Sequence, residues 1–319
     1  MSYVTKLPKP FFVLAPMDDV TDTVFRRIVA SCAAPDLYFT EFVNVDGLQS
    51  PGRQKLLKKL LFTEEEKPIV AQIWGKNPEN YYKTATELVD MGFAGVDINM
   101  GCPAKSEVKA GTCSALINNR PLAVEIIKAT QEGVAGRVPV SVKTRLGFNE
   151  VDFTWHELLL QQNLDMLTVH GRTRKEMSKV PAQWDRIGYI RELRDEAKVN
   201  TLIVGNGDVE NKQHGLQLAK KYDLDGIMIG RGIFHDPYAF AEESPWQFIS
   251  REDRIALYRR QVELFAETWK DRERPIHTLN KFCKVYIQGF DGAKELRERF
   301  MAAASTEELL KLITEISPS

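Results

Sequence analysis

Short apolar segments rich in Val, Ile and Phe recur between residues 11 and 229, and longer amphipathic stretches separate them. The longer stretches place apolar residues at helical spacing, as at Leu122, Ile126 and Ile127. This alternation predicts β-strands that alternate with α-helices. The predicted strands are residues 11–15, 37–42, 68–73, 95–99, 138–143, 165–169, 202–205 and 226–229.

Eight such units favour one particular α/β architecture. Strands that alternate with helices run parallel and are joined by right-handed crossovers. Eight units fit a (β/α)8 TIM barrel better than an open doubly wound sheet, which more often has five or six strands. After residue 243 only helical spacing remains, over residues 251–289 and 293–316. We therefore predict a barrel over residues 1–243 and a small all-helical domain over residues 244–319, with an irregular insertion at residues 48–66.

Composition narrows the class of protein. The chain has 319 residues, of which 43% are hydrophobic and 27% charged, and this excludes a disordered or collagen-like protein. The four cysteines are scattered, no secretory apolar region precedes residue 11, and no run approaches the length of a membrane span. We expect a cytoplasmic protein without a membrane partner. Because the formal net charge is only -1, any polyanionic partner must be held by local basic patches.

Polar and glycine-rich residues follow the predicted strands, at the end of a barrel where active sites form. Gly207 and Gly230 belong to turns after the seventh and eighth strands, and Arg231 lies in the second turn. Such turns cradle phosphate groups, because glycine lets backbone N–H groups approach an anion. Tight turns also favour glycine for purely conformational reasons. Two turns on consecutive strands, one with an arginine, favour a phosphate site.

Two further residues at strand ends are candidates for chemistry. Lys143 ends the fifth strand, where its amine could form a Schiff base or serve as a fixed cation against an anionic cofactor ring. Cys102 lies between Gly101 and Pro103 directly after the fourth strand, where its thiol could act as an acid or a nucleophile. A buried cysteine is more often a small hydrophobic residue, and we assign Cys32 and Cys283 that role.

The remaining features of the sequence are the spacing of possible metal ligands and the clusters of basic residues that could bind a polyanion. The chain has no paired C-x-x-C and no H-x-x-x-H spacing, so we predict no metal site. Basic residues gather on the loops of the active-site face, where they could meet a polyanion or pair with Glu41 or Asp208. Lys281 and Lys284 lie one turn apart in the helical region, where a solvated helix face is the plainer interpretation. The basic loop residues are Lys105, Arg145, Arg172, Arg174 and Lys175.

The segment 99–105, with Ser114, Ala115 and Leu116 following, resembles the bacterial tRNA-dihydrouridine synthases. The Asn-x-Gly-Cys-Pro element at residues 99–103 and the His-Gly-Arg-Thr element at residues 170–173 are together highly specific for that family. Shorter matches follow in the same order over nearly the whole barrel. They lie at residues 15–17, 20–22, 40–42, 72, 142–145, 206–208 and 228–231.

The resemblance implies a barrel that binds FMN and uses NADPH to reduce the C5–C6 bond of selected uridines in tRNA. It implies that Cys102 protonates C5 after hydride passes from flavin N5 to C6, and an ordinary thiol pKa of about 8.5 would keep this acid protonated. It places Lys143 as a cation near the flavin N1–C2=O edge. It assigns FMN to Ala15, Pro16, Met17, Gln72, Lys143, His170, Asn206, Gly207, Asp208, Gly230 and Arg231. It assigns the uridine to Glu41, Asn99 and Arg145, and the tRNA backbone to Lys281 and Lys284 on the helical domain.

Three departures from the family pattern and two alternatives accompany this interpretation. Asp19 and Cys113 stand where glycine is usual, and residues 177–181 replace the usual Tyr-x-Gly. One alternative is a Schiff-base aldolase or lyase that uses Lys143, and another is a non-catalytic tRNA-binding barrel.

No G-x-G-x-x-G motif is present, so we expect the nicotinamide and the RNA to use the same face in turn. A single basic face for a large substrate favours a monomer.

Overall fold

A computed structural model describes residues 3–270 and 274–316 of the chain. The nine strands of these residues run parallel in one sheet. They are β1 (Phe11–Leu14), β2 (Tyr38–Phe39), β3 (Val43–Asn44), β4 (Ile69–Trp74), β5 (Gly95–Met100), β6 (Val140–Arg145), β7 (Met166–His170), β8 (Leu202–Asn206) and β9 (Gly226–Ile229).

The sheet curls into a nearly closed barrel with eight strand positions. Its order is β1-β9-β8-β7-β6-β5-β4-β2, and β3 also pairs with β4. A parallel bridge between Val13 and Leu37 joins β1 to the second position. This confirms the predicted (β/α)8 barrel, and each predicted strand lies at one of its positions.

The second strand position is divided, although the sequence predicts one strand over residues 37–42. The Thr40 hydroxyl accepts a hydrogen bond from the Gln72 backbone N–H at 3.1 Å and donates one to the Glu41 carbonyl at 2.7 Å. A side chain therefore replaces one backbone contact of the ladder. The chain bends there, and pairing resumes at β3.

Helices surround the barrel, and short polar side chains cap several of them. The Asp22 carboxylate accepts from the Phe25 N–H at the first helix, and the Asn211 amide oxygen accepts from the His214 N–H at the ninth. The helices up to the ninth are α1 (Thr23–Ala33), α2 (Val45–Leu48), α3 (Arg53–Leu57), α4 (Pro78–Asp90), α5 (Lys105–Lys109), α6 (Arg120–Val134), α7 (Phe153–Leu160), α8 (Trp184–Glu196) and α9 (Lys212–Tyr222).

The predicted irregular insertion at residues 48–66 contains helical turns. It holds α3 and two short 3-10 helices, Lys58–Leu60 and Glu64–Glu66. Glu66 is fully buried, and one of its carboxylate oxygens lies 2.6 Å from Arg26 Nε on α1. This ion pair fastens the segment to the barrel, and the sequence pattern did not indicate it.

In the described residues after position 243, the regular elements are helices. They are α10 (Arg251–Thr268), α11 (Asn280–Tyr286), α12 (Ala293–Met301) and α13 (Thr306–Ile316). Residues 1, 2, 271–273 and 317–319 of the two predicted domains lie outside the described residues. Within the described ranges, no helix combines the length and the hydropathy needed to cross a membrane.

The buried apolar residues form two clusters. A small one plugs the barrel interior and includes Phe11, Phe39, Met166 and Met228. The large one lies between the strands and the outer helices and continues into α10–α13. The upper part of the barrel interior is left to polar side chains, and this is where the candidate site lies.

Candidate functional site

A cavity of about 770 Å³ opens at the carboxyl ends of the strands. This volume is within the usual range for small-molecule sites. It is lined by every residue that the resemblance assigns to FMN except Gln72, and by Arg145. These residues are Ala15, Pro16, Met17, Lys143, His170, Asn206, Gly207, Asp208, Gly230 and Arg231.

Lys143 and His170 bring one charge and one free polar atom to the cavity. Burial and the nearby Arg145 lower the pKa of Lys143 to about 8, so its amine is still largely protonated at neutral pH. Burial and the cationic side chains of Arg145 and Lys143 hold the pKa of His170 well below its ordinary value, so the imidazole is neutral. His170 Nδ1 is buried and has no hydrogen-bond partner within the described part of the chain. A buried polar atom of this kind calls for a ligand.

The two predicted phosphate turns lie side by side in the cavity wall. Gly207 has a φ of 128°, and a Cβ there would lie 2.8 Å from Ala182 Cβ, so only glycine fits. Asp208 follows it and pairs with Arg172 and, at 3.2 Å, with Arg231. Of the two interpretations of Arg172, the structure therefore supports pairing with Asp208. These contacts place two cations beside the exposed backbone of the turns.

Cys102 is half-buried in the loop after β5, and the thiol of buried Cys113 lies beside it. The Cys113 thiol donates a hydrogen bond to the Cys102 sulfur, which lowers the pKa of Cys102 to about 7. Burial and the proximity of Cys102 raise the pKa of Cys113. The expectation of an ordinary pKa for Cys102 is thus wrong, because the sequence does not show that Cys113 contacts it.

Gln72 and Asn99 belong to a buried group next to the cavity. Asn99 is 6% exposed, and its amide nitrogen lies 2.9 Å from Gln72 Oε1. Asn99 Oδ1 accepts hydrogen bonds from the N–H groups of Gly101 and Cys102 at 3.0 and 2.9 Å. The predicted FMN contact and the predicted uridine contact therefore touch each other and support the Cys102 loop.

Arg145 holds three loops together. Its Nε donates to the Gly101 carbonyl at 2.7 Å, and its Nη1 donates to the carbonyls of Thr173 and Met177 at 3.2 and 3.0 Å. Residues 177–181, where the chain departs from the family pattern, thus supply an acceptor to this arginine. Ser178 of the same segment lines the cavity.

The other predicted substrate residues lie away from the cavity lining. Glu41 is fully buried, and its Oε2 lies 2.6 Å from Arg274 Nη2. Lys281 donates to the Asp19 carbonyl oxygen, and Lys284 is exposed on α11. The structure does not bring Glu41, Lys281 and Lys284 together with the cavity residues.

Three carboxylates lie near one another beside the contact between Lys281 and Asp19. Oxygens of Asp18, Asp19 and Glu41 are all within 4.8 Å of each other. Asp18 pairs with Lys59, and Glu41 pairs with Arg274, so basic side chains already balance two of them. The predicted absence of a metal site stays a prediction.

Sequence reasoning missed part of the cavity wall. His235 and Asp236 follow the eighth strand position, and their place after a glycine turn could have indicated them. Trp246 and Gln247 come from the connection to α10, and only the fold brings them to the cavity. The missed lining residues are Ser178, Val209, Glu210, Asn211, His235, Asp236, Trp246 and Gln247, whereas Gly232 belongs to the second predicted glycine turn.

Two solved structures share the fold at low sequence identity. Morphinone reductase superimposes with a TM-score of 0.52 and 13% identity over 74% of this chain and 86% of its own. A complex of 2-naphthoyl-CoA reductase gives a TM-score of 0.56 and 12% identity over 71% of this chain and 48% of its own. At this identity the likeness shows the barrel fold alone.

Sequence relatives match nearly the whole chain. The "Probable tRNA-dihydrouridine synthase" of Staphylococcus aureus (strain COL) is 46% identical over 98% of this chain and 95% of its own length. The "Probable tRNA-dihydrouridine synthase 2" of Bacillus subtilis (strain 168) is 47% identical over 97% of this chain and 94% of its own. The dihydrouridine synthase family model matches residues 13–317. The chain therefore belongs to the dihydrouridine synthase family.

Proposed function

We propose that this protein reduces the C5–C6 bond of uridines in tRNA to dihydrouridine, with FMN as bound cofactor and NADPH as reductant. One observation carries the proposal: a cavity lined by the buried amine of Lys143 and the unpartnered Nδ1 of His170 lies near the Cys102 thiol, whose loop accepts a hydrogen bond from the cavity residue Arg145. The family and the relatives named tRNA-dihydrouridine synthases support the choice of substrate.

The residues of the cavity fit FMN. The free Nδ1 of His170 and the ammonium of Lys143 suit the polar edge of an isoalloxazine ring that becomes anionic on reduction. The backbone of Gly207 and Gly230 and the guanidinium of Arg231 suit its phosphate. When bound, FMN would supply the hydride that adds to C6 of the uracil ring.

Cys102 supplies the proton in this proposal. Hydride addition at C6 leaves negative charge on the uracil, and transfer of the Cys102 proton to C5 completes the reduced bond. A pKa of about 7 places this group close to the operating pH, where it can give up a proton and regain one from water. Arg145 lies near enough to Cys102 to favour the thiolate that remains.

The tRNA is assigned to the outer surface. We propose that the barrel, residues 1–243, carries the chemistry and that residues 244–319 hold the RNA through the face with Lys281 and Lys284. The target uridine must leave its stack to reach the cavity, and enzymes that act on bases do this at a cost of a few kcal/mol. Asn99 and Arg145, which hydrogen-bond to the Cys102 loop, and Glu41, which pairs with Arg274, are the proposed uridine contacts.

The substitution Cys102→Ala tests the acid role. The variant should bind FMN and oxidise NADPH like the wild type, while dihydrouridine formation in unmodified tRNA falls at least about 100-fold, in line with loss of a general acid. Cys32→Ala is the matched control, because Cys32 is half-buried in α1 and does not line the cavity. Full activity of Cys102→Ala would refute the assignment.

The buried amine of Lys143 favours one second candidate, a Schiff-base lyase. A lysine with a pKa lowered to about 8 is a better nucleophile than an ordinary one. Borohydride in the presence of a keto substrate would then attach the substrate to Lys143. A yellow protein that NADPH bleaches and borohydride does not label would exclude this candidate.

A further inference from the structure

A chain of hydrogen-bonded side chains crosses the barrel interior below the cavity. The Ser141 hydroxyl donates to Asp97 Oδ1 at 2.6 Å, and Gln72 Nε2 donates to Asp97 Oδ2 at 2.7 Å. Asn99 Nδ2 then donates to Gln72 Oε1 at 2.9 Å. None of the four residues is more than 6% exposed, so water does not compete for these contacts.

This row of hydrogen-bonded side chains ends on the loop that carries Cys102. Asn99 Oδ1 accepts hydrogen bonds from the backbone N–H groups of Gly101 and Cys102. The register of the strands makes this possible, because Gln72 on β4 lies opposite Asp97 on β5, and Asp97 lies opposite Ser141 on β6. Asn99 shares a face of β5 with Asp97, since side chains two residues apart point the same way.

The groups at the two ends of this hydrogen-bonded row fix the direction, donor to acceptor, of every hydrogen bond in it. An ionised carboxylate only accepts hydrogen bonds, and a backbone N–H only donates. The amide of Gln72 must therefore turn its NH2 group to Asp97, and the amide of Asn99 must turn its oxygen to the loop. Any other orientation would place two buried donors or two buried acceptors face to face.

We propose that Asp97 is a positioning residue: it sets the direction of the Gln72–Asn99 chain and thereby holds the Cys102 loop in place. Asp97 is fully buried and does not line the cavity, so it acts through its neighbours, and its charge also acts on the amine of Lys143. Asp97→Asn and Asp97→Leu remove the same charge, so comparing the two isolates the hydrogen bonds. The inference deepens the proposed function by giving its acid a fixed support. It can fail separately, because the measurements below read the loop without turnover.

A matched pair of variants tests whether Asp97 must accept from Gln72. Asp97→Asn keeps an oxygen for Gln72 Nε2, because the hydroxyl of Ser141 can turn and accept from the new NH2 group. Asp97→Leu has similar size and removes both acceptors. Hydrogen–deuterium exchange of the N–H groups of Gly101 and Cys102 at about pH 7.5 should be about tenfold faster in Asp97→Leu than in the wild type. Asp97→Asn should stay within about threefold of the wild type.

A reversal of the chain tests its direction. Asn99→Asp places Gln72 between two carboxylates, and one of them then faces the Gln72 oxygen. In the double variant Asp97→Asn with Asn99→Asp, the new amide at position 97 would donate to Gln72 Oε1, and Gln72 Nε2 would donate to the carboxylate at position 99. Every group is paired again, and the net charge equals that of the wild type. The single variant should exchange the loop amides about tenfold faster, and the double variant should recover.

Alkylation of Cys102 by iodoacetamide, followed by mass spectrometry of the intact protein, gives a second readout. The pH midpoint of alkylation should differ between Asp97→Leu and Asp97→Asn, which carry the same charge and differ only in the acceptor offered to Gln72. If Asn99→Asp is insoluble and the double variant is soluble, the second substitution has restored the hydrogen bonds, and this result supports the proposal in the same way. Wild-type exchange in Asp97→Leu, equal exchange in Asp97→Leu and Asp97→Asn, or a double variant no better than Asn99→Asp would overturn the proposal. Loss of dihydrouridine formation in Cys102→Ala bears only on the proposed function.

Discussion

The two thiols after β5 lie side by side, but their surroundings differ. Cys102 is half-buried at the end of a supported loop, whereas Cys113 is fully buried at the start of a 3-10 helix. Cys113 has a φ of 52°, in the left-handed region where glycine is favoured. A glycine would suit this backbone, and the cysteine adds a thiol that lowers the pKa of Cys102. The thiol that can meet a substrate is Cys102.

Replacing Cys113 should move the acidity of Cys102 in a predictable direction. Cys113→Gly suits the backbone and removes the donor, so the pKa of Cys102 should rise from about 7 toward its ordinary value. The proton donor would then stay protonated to higher pH, and the falling limb of the pH–rate profile should shift upward by about one to two pH units. Iodoacetamide alkylation against pH and dihydrouridine formation against pH measure the two shifts.

Cys113→Ser is the matched control for this prediction. A serine hydroxyl is also a hydrogen-bond donor, so the midpoint of Cys102 alkylation should stay close to that of the wild type. If glycine and serine at position 113 leave the same midpoint, the hydrogen bond from Cys113 is not what lowers the pKa of Cys102.

At the scale of strands, a buried carboxylate inside the barrel costs stability. Burial raises the pKa of Asp97 to about 6, although Ser141 and Gln72 hydrogen-bond it. A carboxyl group with a raised pKa in the folded state stabilises the fold below its unfolded pKa, and this contribution is lost as pH rises through about 6. Proteins accept such a cost where a polar group serves a site.

Asp97→Asn should remove this pH dependence. Relative to the wild type, the free energy of unfolding of the variant should increase by about 2 kcal/mol between about pH 4.5 and about pH 7.5. Urea unfolding at several pH values measures the difference. Titrations of groups remote from Asp97 cancel, and the range ends below the pKa of about 8 of Lys143, whose charge Asp97 favours. A constant difference across this range would show that Asp97 does not change its ionisation on folding.

The strands and the residues that end them could be predicted from the sequence, because both follow from local pattern. Alternation of apolar runs and amphipathic helices places Lys143, His170 and Gly207 at one end of the barrel, and the structure brings them to one cavity. Contacts between distant segments leave no such pattern. Arg26 meets Glu66, which lies 40 residues away, and Glu41 meets Arg274, which lies 233 residues away. Nothing near these residues in the sequence indicates the partner.

At the scale of the whole molecule, the C-terminal helices share a core with the barrel. The ring of Phe282 on α11 lies 4.8 Å, centroid to centroid, from Phe25 on α1, and 6.5 Å from Phe234. Arg274 adds an ion pair at 2.6 Å to Glu41 and one at 3.5 Å to Asp22. The barrel and the helices are therefore joined by apolar and charged contacts, and we expect them to unfold together.

The Arg274 contact allows that expectation to be tested. Arg274→Met removes the cation from two buried carboxylates and should cost about 3–5 kcal/mol, because an uncompensated buried charge remains. Glu41→Gln in the same chain should recover part of the loss, since it removes one of the stranded charges. Lys83→Met removes a partner of the exposed pair with Glu79 and should change stability by less than about 0.5 kcal/mol. Urea unfolding followed by both tryptophan fluorescence and circular dichroism measures all four proteins. Coincident transitions in the wild type and a deficit in Arg274→Met would show one cooperative unit, whereas two separated transitions would show that the helices fold without the barrel.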